Sequence, residues 1–217
     1  MNNKALVEEF AKFLESKEKP TAQIVCHRSV DVDPTENGHY YFPEGFRVGD
    51  VIDFTLTTGE EVSAMAMRQE KDGMLFVFVD CLKDEYPMND EDTNAGGYEE
   101  SKLRKVLNDD ILNTFPDSIR LRMKAFENGD YLRLLTSKEV FGENYYGGED
   151  NGTQLEPMKN RKNRIALQGK DSEDLEWYWL QNPNTEYASN FVYVSGSGYA
   201  YGSSASNSLG VRPAFKI

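Results

Sequence analysis

The side chains able to do covalent or metal chemistry are few. The 217 residues hold two histidines, His27 and His39, and two cysteines, Cys26 and Cys81. A Cys/His nucleophile would have to come from Cys26 and His27, but neighbours on a strand point in opposite directions. The spacing of Cys26, His27, His39 and Cys81 is looser than zinc sites use, so both thiols read as reduced and structural. There is no Gly-x-Ser-x-Gly elbow, P-loop or His-Glu-x-x-His pattern. Carboxylates are abundant, with 37 Asp plus Glu against 24 Lys plus Arg. In such a background a carboxylate pair carries little information, and a solvated acidic surface is the plainer reading. Asp90, Asp92 and Asn94 have the 1-3-5 spacing of a calcium loop. The glycine then falls one place late, at Gly96, and the twelfth position is Ser101 instead of a bidentate Glu. Glu149, Asp150 and Asn151 form a second oxygen-rich turn. Both stretches read as solvated turns, and no metal or cofactor is expected.

The other stretch with chemical character is "NPNTEYASNFVYVSGSGYAYGSSASNSLGVRPAFKI". From Asn182 to Val211 its only charged side chain is Glu186, in a chain of formal net charge -13. "FVYVS-GSG-YAYGS" reads as two alternating strands around a Gly-Ser-Gly turn. Phe191, Tyr193 and Ser195 share one face of the first strand, and Tyr199, Tyr201 and Ser203 one face of the second. Val192, Val194, Ala200 and Gly202 make the opposite face. A Tyr/Ser/Asn/Gly face has the composition of antibody binding loops, where Tyr supplies area at low entropy cost and Ser, Gly and Asn adapt their hydrogen bonds. The candidate contact residues are Asn184, Tyr187, Asn190, Tyr193, Tyr199 and Tyr201. The alternative, a packed Tyr face, fits the pattern equally well. In the closing "LGVRPAFKI", Val211, Ala214, Phe215 and Ile217 are core-like. Arg212 among them is expected to pair with a carboxylate, and Pro213 suits a sheet edge.

The elements that must position these residues follow from periodicity. Leu6, Phe10, Phe13 and Leu14 predict an amphipathic helix over 4–16, stopped by Pro20. Pro34, Asn37-Gly38 and Pro43 mark a loop. Residues 51–82 predict a three-stranded antiparallel β-meander with turns at Thr58-Gly59 and Asp72-Gly73. Its third run, Met74–Val79, is apolar on both faces and is placed at the centre. After an acidic loop, Leu103, Val106, Leu107 and Leu112 mark a helix with Ser101 as N-cap and Tyr98 close to its first turn. "PDSIRLRMKAF" fits a strand or an irregular helix start. "DYLRLLTSKEVFG" reads as a strand entering a short helix, with Thr136 and Glu139 as a capping box. Residues 142–172 form a long polar loop, and "LEWYWLQNP" opens a C-terminal β region.

At 12% aromatic residues the chain can bury a sizeable core. A pI near 4.7 argues against nucleic acid and against an anionic membrane surface. No stretch has the ~18 consecutive apolar residues of a membrane span, and no signal peptide is read. The expected setting is cytoplasmic or phage-associated. The domain reading is 1–83 (helix and meander) and 84–217, or one continuous domain.

The ordered blocks "GGYEESKLRKVLN", "DYLRLLTSKEVFG", "WYWL-NP" and "GVRPAF" resemble a bacterial and phage family of domains of unknown function. They place Gly96, Gly97, Tyr98, Ser101, Leu103, Arg104, Glu139, Trp177, Trp179, Leu180, Pro183 and Gly210–Ala214 on its motifs, over about residues 75–217. The family's box has Arg-Ser where this chain has Gln181-Asn182, which puts the anchoring of the following loop in question. The Trp box is similar to the core of the C-type-lectin-like fold of formylglycine-generating enzymes and of diversity-generating-retroelement variable proteins. The resemblance implies an α+β fold with a C-type-lectin-like C-terminal region, in which Trp177, Trp179, Gly210 and Arg212 are structural. It also implies a displayed surface over residues 181–208. The enzyme branch needs cysteines in the C-terminal half, and none follows Cys81. The function expected is non-catalytic binding of a protein or glycan. An unrecognised enzyme using the acidic loops, or a structural or phage assembly module, is the alternative. Oligomeric state is left open.

Overall fold

The three apolar runs of the meander become three adjacent antiparallel strands, β2 (Val51–Thr55), β3 (Glu61–Gln69) and β4 (Met74–Phe78). The computed structural model describes residues 29–30, 45–148 and 150–217. The helix expected over 4–16, the loop signals before Gly45, and Cys26, His27, His39 and Glu149 lie outside the described residues. A short strand β1 (Ser29–Val30) lies parallel to β2. All five residues of β4 are buried, as its two apolar faces require. Its second neighbour is the C-terminal strand β12 (Ala214–Lys216), with Phe215 opposite Phe76. The sheet order is β1-β2-β3-β4-β12, so β4 is internal as expected.

Each face of this sheet carries a core. On one face Ile52, Phe54, Ala64, Phe76, Phe78 and Phe215 pack against a helical segment and against Trp179 and Phe191. Phe215 sits among rings, 5.6 Å from Phe76, 5.5 Å from Phe115 and 6.2 Å from Phe78. Burial of such a ring is worth about 2–3 kcal/mol. On the other face Met65, Met67, Leu75, Val77 and Ala214 meet Leu135, Val140, Met158, Tyr178, Leu180, Val192 and Val194.

The helical segment begins with α1 (Gly97–Glu100), which holds Tyr98, and α2 (Lys102–Val106). Ser101 separates them and caps α2, its hydroxyl accepting from the Arg104 N–H at 3.2 Å. The chain winds on through a π turn at Leu107–Ile111 and a 3-10 turn at Leu112–Thr114. "PDSIRL" resolves as a helix, α3 (Asp117–Arg120), and Lys124 then bridges to Lys216 of β12. Arg133 bridges to Ala214 just before α4 (Ser137–Phe141). The capping box of α4 is complete: Thr136 Oγ1 accepts from Glu139 N, and Glu139 accepts from Thr136 N, each at 3.1 Å. Gly142, at φ 80, ends the helix in the left-handed conformation.

The tail builds a second antiparallel sheet from β8 (Tyr178–Pro183), β9 (Asn190–Val194) and β10 (Ala200–Ser204), in the order β10-β9-β8. Two small ladders pin it down. One pairs β5 (Tyr86–Pro87) with β11 (Ser208–Leu209), and the other pairs β6 (Ala166–Leu167) with β7 (Leu175–Glu176). The fold class is α+β. The first sheet takes strands from both sides of residue 84, since β12 completes the sheet that β4 belongs to. Among the described residues no helix is long and apolar enough to cross a membrane.

Candidate functional site

The hairpin closes at Ser195 and Tyr199, with Gly198 at φ 78 supplying the left-handed turn residue. Val194 faces Ala200, Tyr193 faces Tyr201, and Val192 faces Gly202, so the two expected faces exist. Exposure follows the strands instead. β9 is the middle strand and is buried on both faces: Phe191 and Tyr193 enter one core, Val192 and Val194 the other. β10 is the outer strand, and Tyr199 and Tyr201 stand about half exposed, each at 49%. The question of which face looks outward therefore has a different answer at each strand.

Tyr193, expected as a contact residue, is 8% exposed. It works as a spacer. Its ring stacks on Trp177 at 5.3 Å and 22°, and lies 6.0 Å from Tyr201 at 31°. Each outer ring has one side covered by Tyr193. Burial pushes the Tyr193 phenol up, with the Tyr201 hydroxyl adding to the effect. Trp177, expected to be structural, is 50% exposed; its neighbour Trp179 fills the core and donates Nε1–H to the Tyr86 carbonyl at 2.8 Å. Trp177 lies between β7 and β8, outside both strands, so the alternation that buries Trp179 within β8 does not bind it. At the turn, Arg161 lies over the Tyr199 ring at 5.2 Å and donates to its hydroxyl at 2.7 Å.

Tyr187, at 61% the most exposed of the described tyrosines, rides on the loop joining β8 to β9. That loop is built by asparagines. Asn184 Oδ1 accepts from the N–H groups of Glu186 and Tyr187 at 2.8 and 3.2 Å, an Asx turn. Asn184 is only 2% exposed, so the second expected contact residue is an internal brace. Asn190 is half-buried, and its carbonyl accepts from Asn184 N at 2.9 Å. Asn94 reaches in from the acidic loop. Its Nδ2 lies 2.8, 3.1 and 2.9 Å from the carbonyls of Asn184, Tyr187 and Asn190, and its N–H donates to Ala188.

Asn94 was one of three residues with calcium-loop spacing, and their side chains diverge to separate protein partners. Asp90 pairs with Lys102, and Asp92 accepts from the Ser206 hydroxyl at 2.6 Å. Among the described residues no three His, Cys, Asp or Glu side chains are placed to hold a metal ion. Asp150 is likewise engaged, by Thr136 Oγ1 and by Gly152 N.

Gln181 and Asn182, whose anchoring was in question, do anchor the loop. Gln181 Nε2 donates to the Leu134 carbonyl at 2.6 Å, and Asn182 Oδ1 accepts from Ser137 N at 2.6 Å at the start of α4. Tyr146, at φ 55, holds the loop from the other side: its carbonyl accepts from Thr185 N and Oγ1 at 3.0 and 2.9 Å, and its hydroxyl lies 3.5 Å from the Ala200 carbonyl. None of these braces carries a local sequence signal except the asparagines, which favour turns.

The terminus locks beneath this site. Arg212 is 3% exposed, and the carboxylate partner expected for it is replaced by oxygens without charge. Its Nε donates to the Phe78 carbonyl at 2.6 Å, and one terminal nitrogen to the Asn163 carbonyl and the Tyr178 hydroxyl at 2.9 and 3.1 Å. Its guanidinium also lies over the Tyr178 ring at 5.2 Å. These dipoles solvate the cation without burying a second ion. Gly210 is held in a tight passage, where an added Cβ would stand 2.4 Å from Glu176 Cγ and 2.9 Å from the sulfur of Cys81. Glu176 accepts from Trp177 N at 2.7 Å; burial, with Glu85 close by, raises its carboxyl above the usual range. Cys81 is a buried free thiol that burial pushes up.

A family model described as "Domain of unknown function (DUF6273)" matches residues 72–217, more than half of the chain. The chain belongs to this family. The DUF6273 region opens at the turn before β4 and runs through β12. It therefore holds the whole tail sheet, the Asn94 loop and both partners of the β4–β12 pairing. Searches of curated proteins and of solved structures returned no match. A cavity of 290 Å³ lies apart from the tail, lined by Leu56, Glu60, Leu82, Lys83 and Tyr86 among others.

Proposed function

We propose that the chain is a non-catalytic binding protein that presents its tail to a protein or glycan ligand from a C-type-lectin-like scaffold. One observation carries the reading: Trp177, Tyr187, Tyr199 and Tyr201 are each between 49% and 61% exposed around a stretch with a single charged side chain, in an acidic chain. Large rings left in water are retained where they meet something, and Tyr and Trp are the residues that most often dominate binding energy. Support comes from the rigidity beneath them. The Tyr193 spacer, the Asn94 and Asn184 braces and the Arg212 lock fix the rings before any ligand arrives, which lowers the ordering cost of binding. The closing of the first sheet by the terminal strand is consistent with the lectin-like arrangement.

The test is a screen on glycan and protein arrays, repeated with Trp177→Ala, Tyr187→Ala and Tyr201→Ala. Loss of one hot-spot ring weakens binding by about 2 kcal/mol or more. A ligand retained at full affinity by all three variants would rule this surface out.

A further inference from the structure

We infer that β10 is a self-association edge, through which two copies of this chain join their tail sheets into one. β10 is terminal in the order β10-β9-β8. Ser195 N–H donates to the Tyr199 carbonyl at 2.9 Å and closes the hairpin. Alternation along an antiparallel ladder then turns the N–H and C=O groups of Ala200, Gly202 and Ser204 away from β9. An edge is normally guarded by a lysine, a proline, a bulge or an inward charge. "AYGSS" contains no proline and no charge, and its pairing to β9 runs without a register shift.

The occupant that fits is a second copy. In an antiparallel register centred on Gly202, the outward groups of Gly202 pair with those of Gly202 of the second copy, and Ala200 pairs with Ser204. Tyr201 then stands directly opposite Ser203 of the second copy, large against small, on the same face as the stacked rings. Charge points the same way. With a net charge of -13, two copies repel wherever acids face each other, and this stretch has one charged side chain between Asn182 and Val211. The copies contribute to each other's site, because Ser203 of one extends the aromatic face of the other. The inference stands apart from the identity of any ligand.

Two contacts oppose the pairing. The Ser204 carbonyl already accepts from Asn207 N–H at 3.0 Å. The Tyr146 hydroxyl lies 3.5 Å from the Ala200 carbonyl, the group that Ser204 N–H of the second copy would engage. Removal of that hydroxyl therefore strengthens association.

Five residues of edge bury little area, so the dimer belongs to the weak class and is sought from about 1 μM to about 500 μM by sedimentation velocity. The full chain is expected to pass from monomer to dimer mass over this range. Ser204→Pro deletes an outward N–H while sparing the hairpin's own bonds, and Tyr201→Ser removes the ring opposite Ser203. Each change counts twice across a two-fold axis, so each weakens association by about tenfold or more. Tyr146→Phe strengthens it. Circular dichroism verifies that each variant is folded. A chain that stays monomeric throughout, or a dimer indifferent to both Ser204→Pro and Tyr201→Ser, overturns the inference.

Discussion

Asn94 directs one amide group at three carbonyl oxygens, and the loop carrying Tyr187 closes around it. Asn94→Ala takes the side-chain donor from the Asn184 carbonyl, while the Asn190 and Tyr187 carbonyls keep the N–H groups of Asn184 and Asn190. The expected cost is about 1–3 kcal/mol, with faster hydrogen exchange confined to residues 184–190. Unchanged exchange there would show that the loop closes without Asn94. Gly202 gives a second case. A Cβ there would stand 2.9 Å from Asn184 Nδ2, so Gly202→Val displaces the brace and costs about 1–3 kcal/mol, read in thermal unfolding. Alternation assigned the two faces of the hairpin from sequence. It could not assign Tyr193 and Asn184 to the interior, because what covers them comes from Trp177, between β7 and β8, and from Asn94 far along the chain. The same limit hid the partners of Arg212. A buried cation announces itself in sequence, but whether carboxylates or carbonyls receive it is decided by backbone that passes nearby in space.

At the scale of elements, α4 shows one side chain serving two structures. Glu139 closes the capping box and also takes Arg133 in a paired contact at 2.7 Å and 2.7 Å, with Arg68 at 3.1 Å. Burial alone would raise this carboxyl, but the Arg133 guanidinium, together with the Thr136 N–H and Arg68, outweighs it and the net shift is downward from 4.5. Glu139→Gln leaves a buried guanidinium without its anion, and about 3–5 kcal/mol of stability is expected to go in denaturant unfolding. The meander, the Ser101 cap and this capping box were legible because period and cap residues act over a few positions. "PDSIRLRMKAF" was not, since apolar residues two apart fit a strand as well as the start of a short, irregular helix.

For the whole molecule, opposite shifts make stability depend on pH from both sides. Glu139 is lowered, so its contribution is full above 4.5 and is lost as pH falls through its folded value. Glu60 and Glu176 are raised, chiefly by burial, so theirs is full below 4.5 and is lost as pH rises through their folded values. Glu60→Gln and Glu176→Gln are therefore expected to flatten the decline of melting temperature on the neutral side, while Glu139→Gln flattens the acid side. Equal slopes in all three variants and the parent would contradict these assignments. The α+β class could be read from the order of apolar patterns, but the pairing of β12 with β4 could not, because strands distant in sequence leave no local mark on each other.

That pairing bears on how the chain reaches its fold. Phe76 and Phe215 meet across almost the whole DUF6273 region. A nascent chain that has emerged only as far as the helical segment has an apolar central strand with one open edge, and nothing yet made can cover it. Contacts of such long range are slow to form and leave hydrophobic surface open to wrong partners in the meantime. Refolding is thus expected to be limited by the arrival of residues 214–216, late and all at once, with Trp179 losing its water only in that step.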